Sequence, residues 1–364
     1  MPASNDRCSF SLSLPAESPY ETISLLKLAE SCGYSGVWIP DSPLLWREPF
    51  TSLAFYAGAT TRIGLGIAVT NVITRHPSVI ASAALTLNEL SGGRFTLGIG
   101  SGATGVGTAG LHKASLSRLE AEVGRIRELL SGRDSAVDFS AAQHHTLSSS
   151  LSGGKNEYVP KGEMRIRWKA NLPAPPNFLS AHGPRSLRLA GKISDGVIFS
   201  LGAMPEMVRF ANEEVSRGAI DAGRDPVQVQ RWCRVALAIG EENRAQLLEE
   251  VRPYVATVET NLAFLGYSSK AESWVPAFLK DEVLKTLKEY DIGEHVQKGA
   301  AHAHSVSDDA VKQLAVTGSV DECLRRLETL KEAGATNFNL VIFTAGDKPT
   351  VIRRFAENVM ARLA

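Results

Sequence analysis

With 364 residues, of which 44% are hydrophobic and 21% charged, the chain is long enough for one large or two ordinary domains and has the composition of a globular protein with a sizeable core. Lysine plus arginine and aspartate plus glutamate both number 39, so no overall basic field favours nucleic acid or a membrane surface. Cys8, Cys32, Cys233 and Cys323 are scattered without a C-x-x-C pair, which fits neither a disulfide framework nor a zinc ribbon and suits a cytoplasmic, reducing compartment.

The N-terminus carries no basic segment followed by an apolar stretch, so no signal peptide is read, and no apolar run reaches the roughly 18 residues of a membrane helix. Short apolar runs alternate with amphipathic stretches from the start. Ser9 to Leu14 reads as a strand, and Ser18-Pro19-Tyr20-Glu21 as a capping box with proline at the first helical position. Leu25, Leu28, Ala29 and Cys32 share one helical face before Gly33. Gly36 to Asp41 is a second strand, Pro49 to Thr61 a helix, Arg62 to Asn71 a third strand and Pro77 to Leu90 a helix. Phe95 to Gly100 is a fourth strand. A capping box at Ser117 to Glu120 then opens a helix with Leu119, Val123, Ile126 and Leu130 on its apolar stripe.

The rhythm resumes with strands at Asn177 to Ala181, Gly196 to Leu201, Val229 to Ile239 and Asn337 to Phe343. Helices follow at Pro184 to Gly191, Pro205 to Ala222, Glu242 to Val258 and Pro349 to Leu363, and a capping box at Ser319 to Glu322 opens another that ends at Gly334. Eight buried-type strands, each followed by helical sequence, predict a parallel sheet and the arithmetic of a closed (β/α)8 TIM barrel. A doubly wound open sheet is the competing architecture, because periodicity does not separate the two. The chain reads as a single domain over residues 1–364, with surplus at about 132–175, including a Ser/Gly-rich excursion from Leu147 to Gly154, and at about 260–316.

In such a barrel the active site lies at the carboxyl ends of the strands. Gly100 to Gly105 matches G-x-G-x-x-G, but a dinucleotide fingerprint opens a helix at once, and here the next helix is placed only near Ser117. A loop that lets a ring approach the backbone, or a plain flexible loop, accounts for these glycines equally well. Gly183-Pro184-Arg185-Ser186 opens a helix after a strand, so its backbone N–H groups, hydroxyl and guanidinium suit a phosphate; ordinary capping is the alternative. Asp41 ends an apolar strand where a carboxylate needs a partner or water. It is either a catalytic or ring-orienting group, with Arg47 as a candidate partner, or a turn acid. His76 before Pro77 is either a proton carrier or a helix-capping histidine. His302 and His304 lack acidic companions at metal spacing, so no metal site is read.

These segments together resemble the luciferase-like flavin- and deazaflavin-dependent oxidoreductases. The resemblance rests on Gly33-Tyr34-Ser35-Gly36-Val37-Trp38-Ile39-Pro40-Asp41, on Thr70-Asn71 with Thr74-Arg75-His76-Pro77, on Asn88 to Phe95 running into Leu97 to Gly102, and on Gly183 to Leu187 with Asp195-Gly196-Val197-Ile198. The third-strand pattern is closest to the methylenetetrahydromethanopterin reductase branch, which implies coenzyme F-420 as cofactor, with FMN the alternative. The resemblance places cofactor contacts at Ala68, Val69, Thr70 and Asn71, at Gly100, Ser101 and Gly102, and at Ala181, His182, Gly183, Pro184, Arg185 and Ser186. It also implies a non-prolyl cis peptide between Ala68 and Val69, against the alternative of a trans strand with an ordinary bulge, and a homodimer.

Some relatives carry histidine after the strand-two aspartate, where this chain has Ser42. Three functions follow: hydride transfer between the deazaflavin and a small organic substrate, monooxygenation with reduced FMN, or flavin binding without turnover.

Overall fold

The computed structural model describes residues 7–136, 163–241, 243–268, 275, 277–344 and 346–363. The Leu147 to Gly154 excursion lies outside them. Nine parallel strands share one sheet: β1 (Ser9–Ser13), β2 (Gly36–Ile39), β3 (Gly64–Asn71), β4 (Phe95–Gly100), β7 (Asn177–Ser180), β8 (Gly196–Phe199), β9 (Gln230–Ile239), β10 (Val316–Gly318) and β11 (Asn337–Ile342). A two-stranded antiparallel ribbon, β5 (Ser135–Ala136) and β6 (Glu163–Met164), stands apart. β1 pairs with β11 and β8 with β9, so eight strands close into a barrel and the open-sheet alternative is excluded. The ninth, β10, went unread because three residues carry no periodicity. It lies outside the closed ring, on the carboxyl-terminal part of β9, with Val316 opposite Leu237.

Helices α1 (Pro19–Ser31), α2 (Pro49–Ala59), α3 (Pro77–Leu90), α4 (Thr104–Gly107), α5 (Leu116–Leu130), α6 (Pro184–Ile193) and α7 (Pro205–Asp221) connect the first strands. The 25-residue α8 (Arg244–Ser268), α9 (Lys280–Glu289), α10 (Asp308–Leu314), α11 (Val320–Glu332) and α12 (Lys348–Phe355) follow, and a π turn over Ala356–Met360 leads into the short α13 (Ala361–Leu363). The stretch 260–316 therefore holds the end of α8, all of α9 and α10, and short 3-10 turns.

Local chemistry explains most boundaries. At α11 the capping box forms as read, Ser319 Oγ accepting from the Glu322 N–H at 3.3 Å and Glu322 Oε2 accepting from the Ser319 N–H at 2.7 Å. The other two predicted boxes do not. Ser18 makes no side-chain cap bond, and Ser115, not Ser117, caps α5 through the Arg118 N–H. In α1 Ala29 of the predicted face is fully buried with Thr22 and Leu26, and Leu25, Leu28 and Cys32 are half-buried against the core, so the inner stripe is centred slightly to one side of the predicted one. The glycine loop after β4 contains the four-residue α4, too short and glycine-rich to be read as helix.

Inside the barrel Trp38, Ala68, Phe178, Ile198 and Trp232 form a separate apolar cluster, with Trp38 5.7 Å from Phe178 and 5.9 Å from Trp232 between ring centroids. Trp38 lies directly across from Gly66, where a Cβ would stand 2.5 Å from the indole, so glycine at 66 makes room for this plug. The plug closes the barrel interior and leaves a cavity above it.

Candidate active site

A cavity of about 1250 Å³ opens at the carboxyl ends of the strands, bordered by the last residues of β3, by the loops after β1, β2, β4, β7, β8 and β11, and by α8. Single-ligand pockets run to roughly 1,000 Å³, so it has room for a large cofactor beside a small second molecule.

Asp41 lies two residues beyond β2, its side chain fully buried. Thr70 Oγ1 donates to its Oδ2 at 2.7 Å, and Arg75 donates Nε to Oδ2 at 3.0 Å and Nη2 to Oδ1 at 3.2 Å. Arg75 Nη2 also meets Glu48 Oε1 at 3.0 Å, the carboxylate that caps α2 through the Phe50 and Thr51 N–H groups. Asp41 is thus held by Arg75, while Arg47 is exposed. Thr70 turns its hydroxyl to Asp41 and does not border the cavity, in contrast to the expected ring contact. His76, the candidate proton carrier, is exposed, caps α3 by accepting from the Ser78 N–H at 3.3 Å, and does not border the cavity; its capping reading is the one the structure supports. Asn71 borders the cavity and uses Oδ1 to accept from the Ile73 and Thr74 N–H groups.

The Ala68–Val69 peptide is cis, at the bond expected. The β3–β4 register shifts between Ile67 and Thr70, and Val69 projects into the cavity. A Cβ on Gly100 would stand 2.8 Å from Val69 Cγ2, so glycine is required beside this shelf. Gly100, Ser101 and Gly102 line the adjoining wall.

At α6, Ala181, His182, Gly183, Pro184, Arg185 and Ser186 all border the cavity. Ser186 Oγ accepts from the Gly183 N–H at 3.1 Å and the His182 N–H at 3.3 Å, and the Leu187 N–H bonds the Gly183 carbonyl. Pro184 has no N–H, so the Arg185 and Ser186 N–H groups and the exposed Arg185 guanidinium are the donors this turn presents. The helix's own capping thus takes the Gly183 and Leu187 N–H groups and leaves those of Arg185 and Ser186.

Several cavity residues went unread in the sequence. Arg234, on β9, donates Nη1 to the Ala68 carbonyl at 3.2 Å and Nη2 to Ser13 Oγ at 2.7 Å, while its buried Nε has no partner among the described residues. Tyr254 Oη lies 2.9 Å from Ser200 Oγ. His182 and His295 face the same space. Burial, then Arg234 and Lys113, lowers the His182 pKa to about 4; burial, then Arg234 and His302, lowers that of His295 to about 4, so both imidazoles are neutral at pH 7. An arginine within the apolar run Trp232 to Ile239 was the available signal for Arg234. His295 had none, since it comes from the mixed stretch 260–316.

Among the described residues no group of three or more His, Cys, Asp or Glu is placed to hold a metal ion, and no helix is long and apolar enough to cross a membrane. The model of the luciferase-like monooxygenase family matches residues 8–337. The chain belongs to that family. It is a luciferase-like oxidoreductase, and the reading of a binding protein without turnover gives way.

A 5,10-methylenetetrahydromethanopterin reductase of Methanolobus tindarius is 27% identical over 328 residues, covering 89% of this chain and 90% of the relative. The solved coenzyme F-420 dependent tetrahydromethanopterin reductase of Methanopyrus kandleri superposes with a TM-score of 0.71 at 23% identity, covering 98% of this chain and 100% of that one. An F-420-dependent secondary alcohol dehydrogenase solved with an F-420–acetone adduct gives 0.73 at 19% identity, covering 98% and 99%. At these identities the two solved structures speak for the luciferase-like fold.

Proposed function

We propose that this luciferase-like protein transfers a hydride between coenzyme F-420 and a small organic substrate. The observation that carries the reading is one cavity joining the Val69 shelf, the glycine wall after β4 and the donor turn of α6. The names of relatives sharing about a quarter of their residues over most of the chain support the same cofactor.

The residues present fit such a group. Ala68, Val69 and the Gly100 to Gly102 wall offer a flat, mostly apolar surface for a ring. The Arg185 and Ser186 N–H groups and the Arg185 guanidinium offer charge-assisted donors to a phosphate. Bound there, the deazaflavin supplies a two-electron hydride couple. Arg234 holds the Ala68 carbonyl beneath the shelf, and Trp46 and His295 border the same cavity with their ring centroids 6.3 Å apart.

The same reading takes the chain as one barrel domain with insertions near 132–175 and 260–316, acting in the cytoplasm. It also takes the chain as a homodimer, for which exposed Tyr20, Phe55 and Val79 on α1 to α3 supply apolar surface. Monooxygenation with reduced FMN is the second reading, favoured by the family's description. A crystal structure of the protein soaked with F-420 tests the proposal: the ring should lie on Val69 and the phosphate at Arg185. A phosphate bound elsewhere contradicts it.

A further inference from the structure

We propose that Arg234 is a specificity-determining residue that binds the carboxylate of a small organic monoanion on the floor of the cavity. The inference rests on the hydride-transfer reading above and names the substrate class that the reading leaves open.

The fold sets a guanidinium where no countercharge is supplied. Ser13, Ala68, Ile198, Arg234 and Val341 border the cavity from within β1, β3, β8, β9 and β11, so they form its floor, below the strand-end loops. Arg234 donates to the Ala68 carbonyl and to Ser13 Oγ, and its buried Nε has no partner among the described residues. Both acceptors are neutral, so the two bonds orient the guanidinium and leave its charge unbalanced. A cation held away from bulk water is costly unless an anion meets it. The acids bordering the cavity do not meet it: Asp41 is paired with Arg75, Glu17 with Lys348 and Glu250 with Lys298.

The charge is felt across the cavity. Burial first, and Arg234 next, lower the pKa values of His182, after β7, and of His295, after α9. Lys113 adds to the effect on His182, and His302 to that on His295. On α8, burial raises the Tyr254 pKa and Arg234 opposes the rise. Groups from three parts of the wall therefore register one uncompensated cation.

The chemistry of this gap selects the ligand. A single unbalanced charge matches a monoanion, and an ammonium group would be repelled. Each terminal nitrogen of Arg234 keeps one N–H beyond its bond to Ala68 or Ser13, and a planar carboxylate accepts such pairs. A phosphate dianion would bring excess charge to a floor that Ala68, Ile198 and Val341 make largely apolar. Arg185, the other arginine bordering the cavity, is exposed on the α6 turn. The two arginines thus divide the ligands, the cofactor phosphate at the rim and the substrate carboxylate at the floor.

The test uses the full chain, with and without F-420, and two isosteric pairs: benzoate with benzamide, and isobutyrate with isobutyramide. Calorimetry gives affinities, and 15N-histidine spectra across pH follow His182 and His295. The wild type is expected to bind each carboxylate at least about 10-fold more tightly than its amide. Arg234→Met should erase that preference with amide affinity unchanged, and Arg234→Lys should keep part of it. Bound benzoate should move both histidine titrations upward, because it cancels the cation that lowers them, and benzamide should not. Should Arg234→Met fail to fold, the acid–amide comparison and the histidine spectra of the wild type decide. Equal affinity for acid and amide in the wild type, inorganic phosphate bound more tightly than benzoate, or a preference lost in Arg185→Ala and kept in Arg234→Met overturns the assignment. So does a fall in F-420 affinity in Arg234→Met with the carboxylate preference intact, which would give the guanidinium to the cofactor. Failure of the wild type to bind F-420, with the preference present in the empty protein, overturns the hydride-transfer reading and leaves the anion site standing.

Discussion

The Asp41 carboxylate and the Arg75 guanidinium form a two-pronged ion pair, Nε to Oδ2 at 3.0 Å and Nη2 to Oδ1 at 3.2 Å, that ties the end of β2 to the loop after β3. The Asp41 side chain is fully buried and that of Arg75 is 17% exposed, so removing one partner leaves a charge with little water. Arg75→Met is expected to destabilise by about 3–5 kcal/mol in urea unfolding. Adding Asp41→Asn should recover part of that loss, whereas equal stability of the single and double variants would show that the pair is not coupled.

His76 does not border the cavity at the strand ends and caps α3. His76→Ala is therefore expected to lose about 0.5–2 kcal/mol of stability and to keep wild-type cofactor affinity. Lost affinity with unchanged stability would return His76 to the binding site.

Arg185→Ala is expected to weaken F-420 binding by about 1–3 kcal/mol, read by fluorescence titration, because a charge-assisted bond to phosphate is removed. Unchanged affinity would mean that the turn at α6 only caps its helix.

Gly66→Ala sets a Cβ 2.5 Å from the Trp38 ring, which Phe178 and Trp232 hold in place. Overpacking should cost about 1–3 kcal/mol. A neutral effect on the unfolding midpoint would show that the plug yields.

Burial, opposed by the Thr286 hydroxyl and aided by Glu282, raises the Glu259 pKa to about 8. A carboxyl group that holds its proton more tightly when folded adds stability that is full below its unfolded pKa and is lost as pH rises through the folded one. Melting temperature should therefore fall as pH climbs from about 4.5 towards about 8, and Glu259→Gln should flatten that decline. The same slope in both proteins would assign it to other groups.

The barrel was legible because each of its eight strands is a short apolar run closed by turn residues, and helices such as α5 and α11 show one apolar face. What stayed hidden was set by distance in sequence. Arg75 was visible as part of a motif, but its pairing with Asp41 spans 34 positions and depends on the β2–β3 register. Thr70 was assigned to the ring, whereas the shift at Ala68–Val69 turns its hydroxyl toward Asp41. His295 reaches the cavity only because the stretch after α8 folds back over the barrel mouth, and no local pattern records that return. The α6 turn was read from sequence, but only the fold shows how much of it Ser186 uses for capping.

The central claim is that this cavity binds a deazaflavin, and the most direct measurement is equilibrium titration of the purified protein with F-420 and with FMN, each oxidised and reduced. The account predicts saturable F-420 binding that Arg185→Ala weakens, with FMN bound far more weakly. Tight binding of FMN with none of F-420 would contradict it.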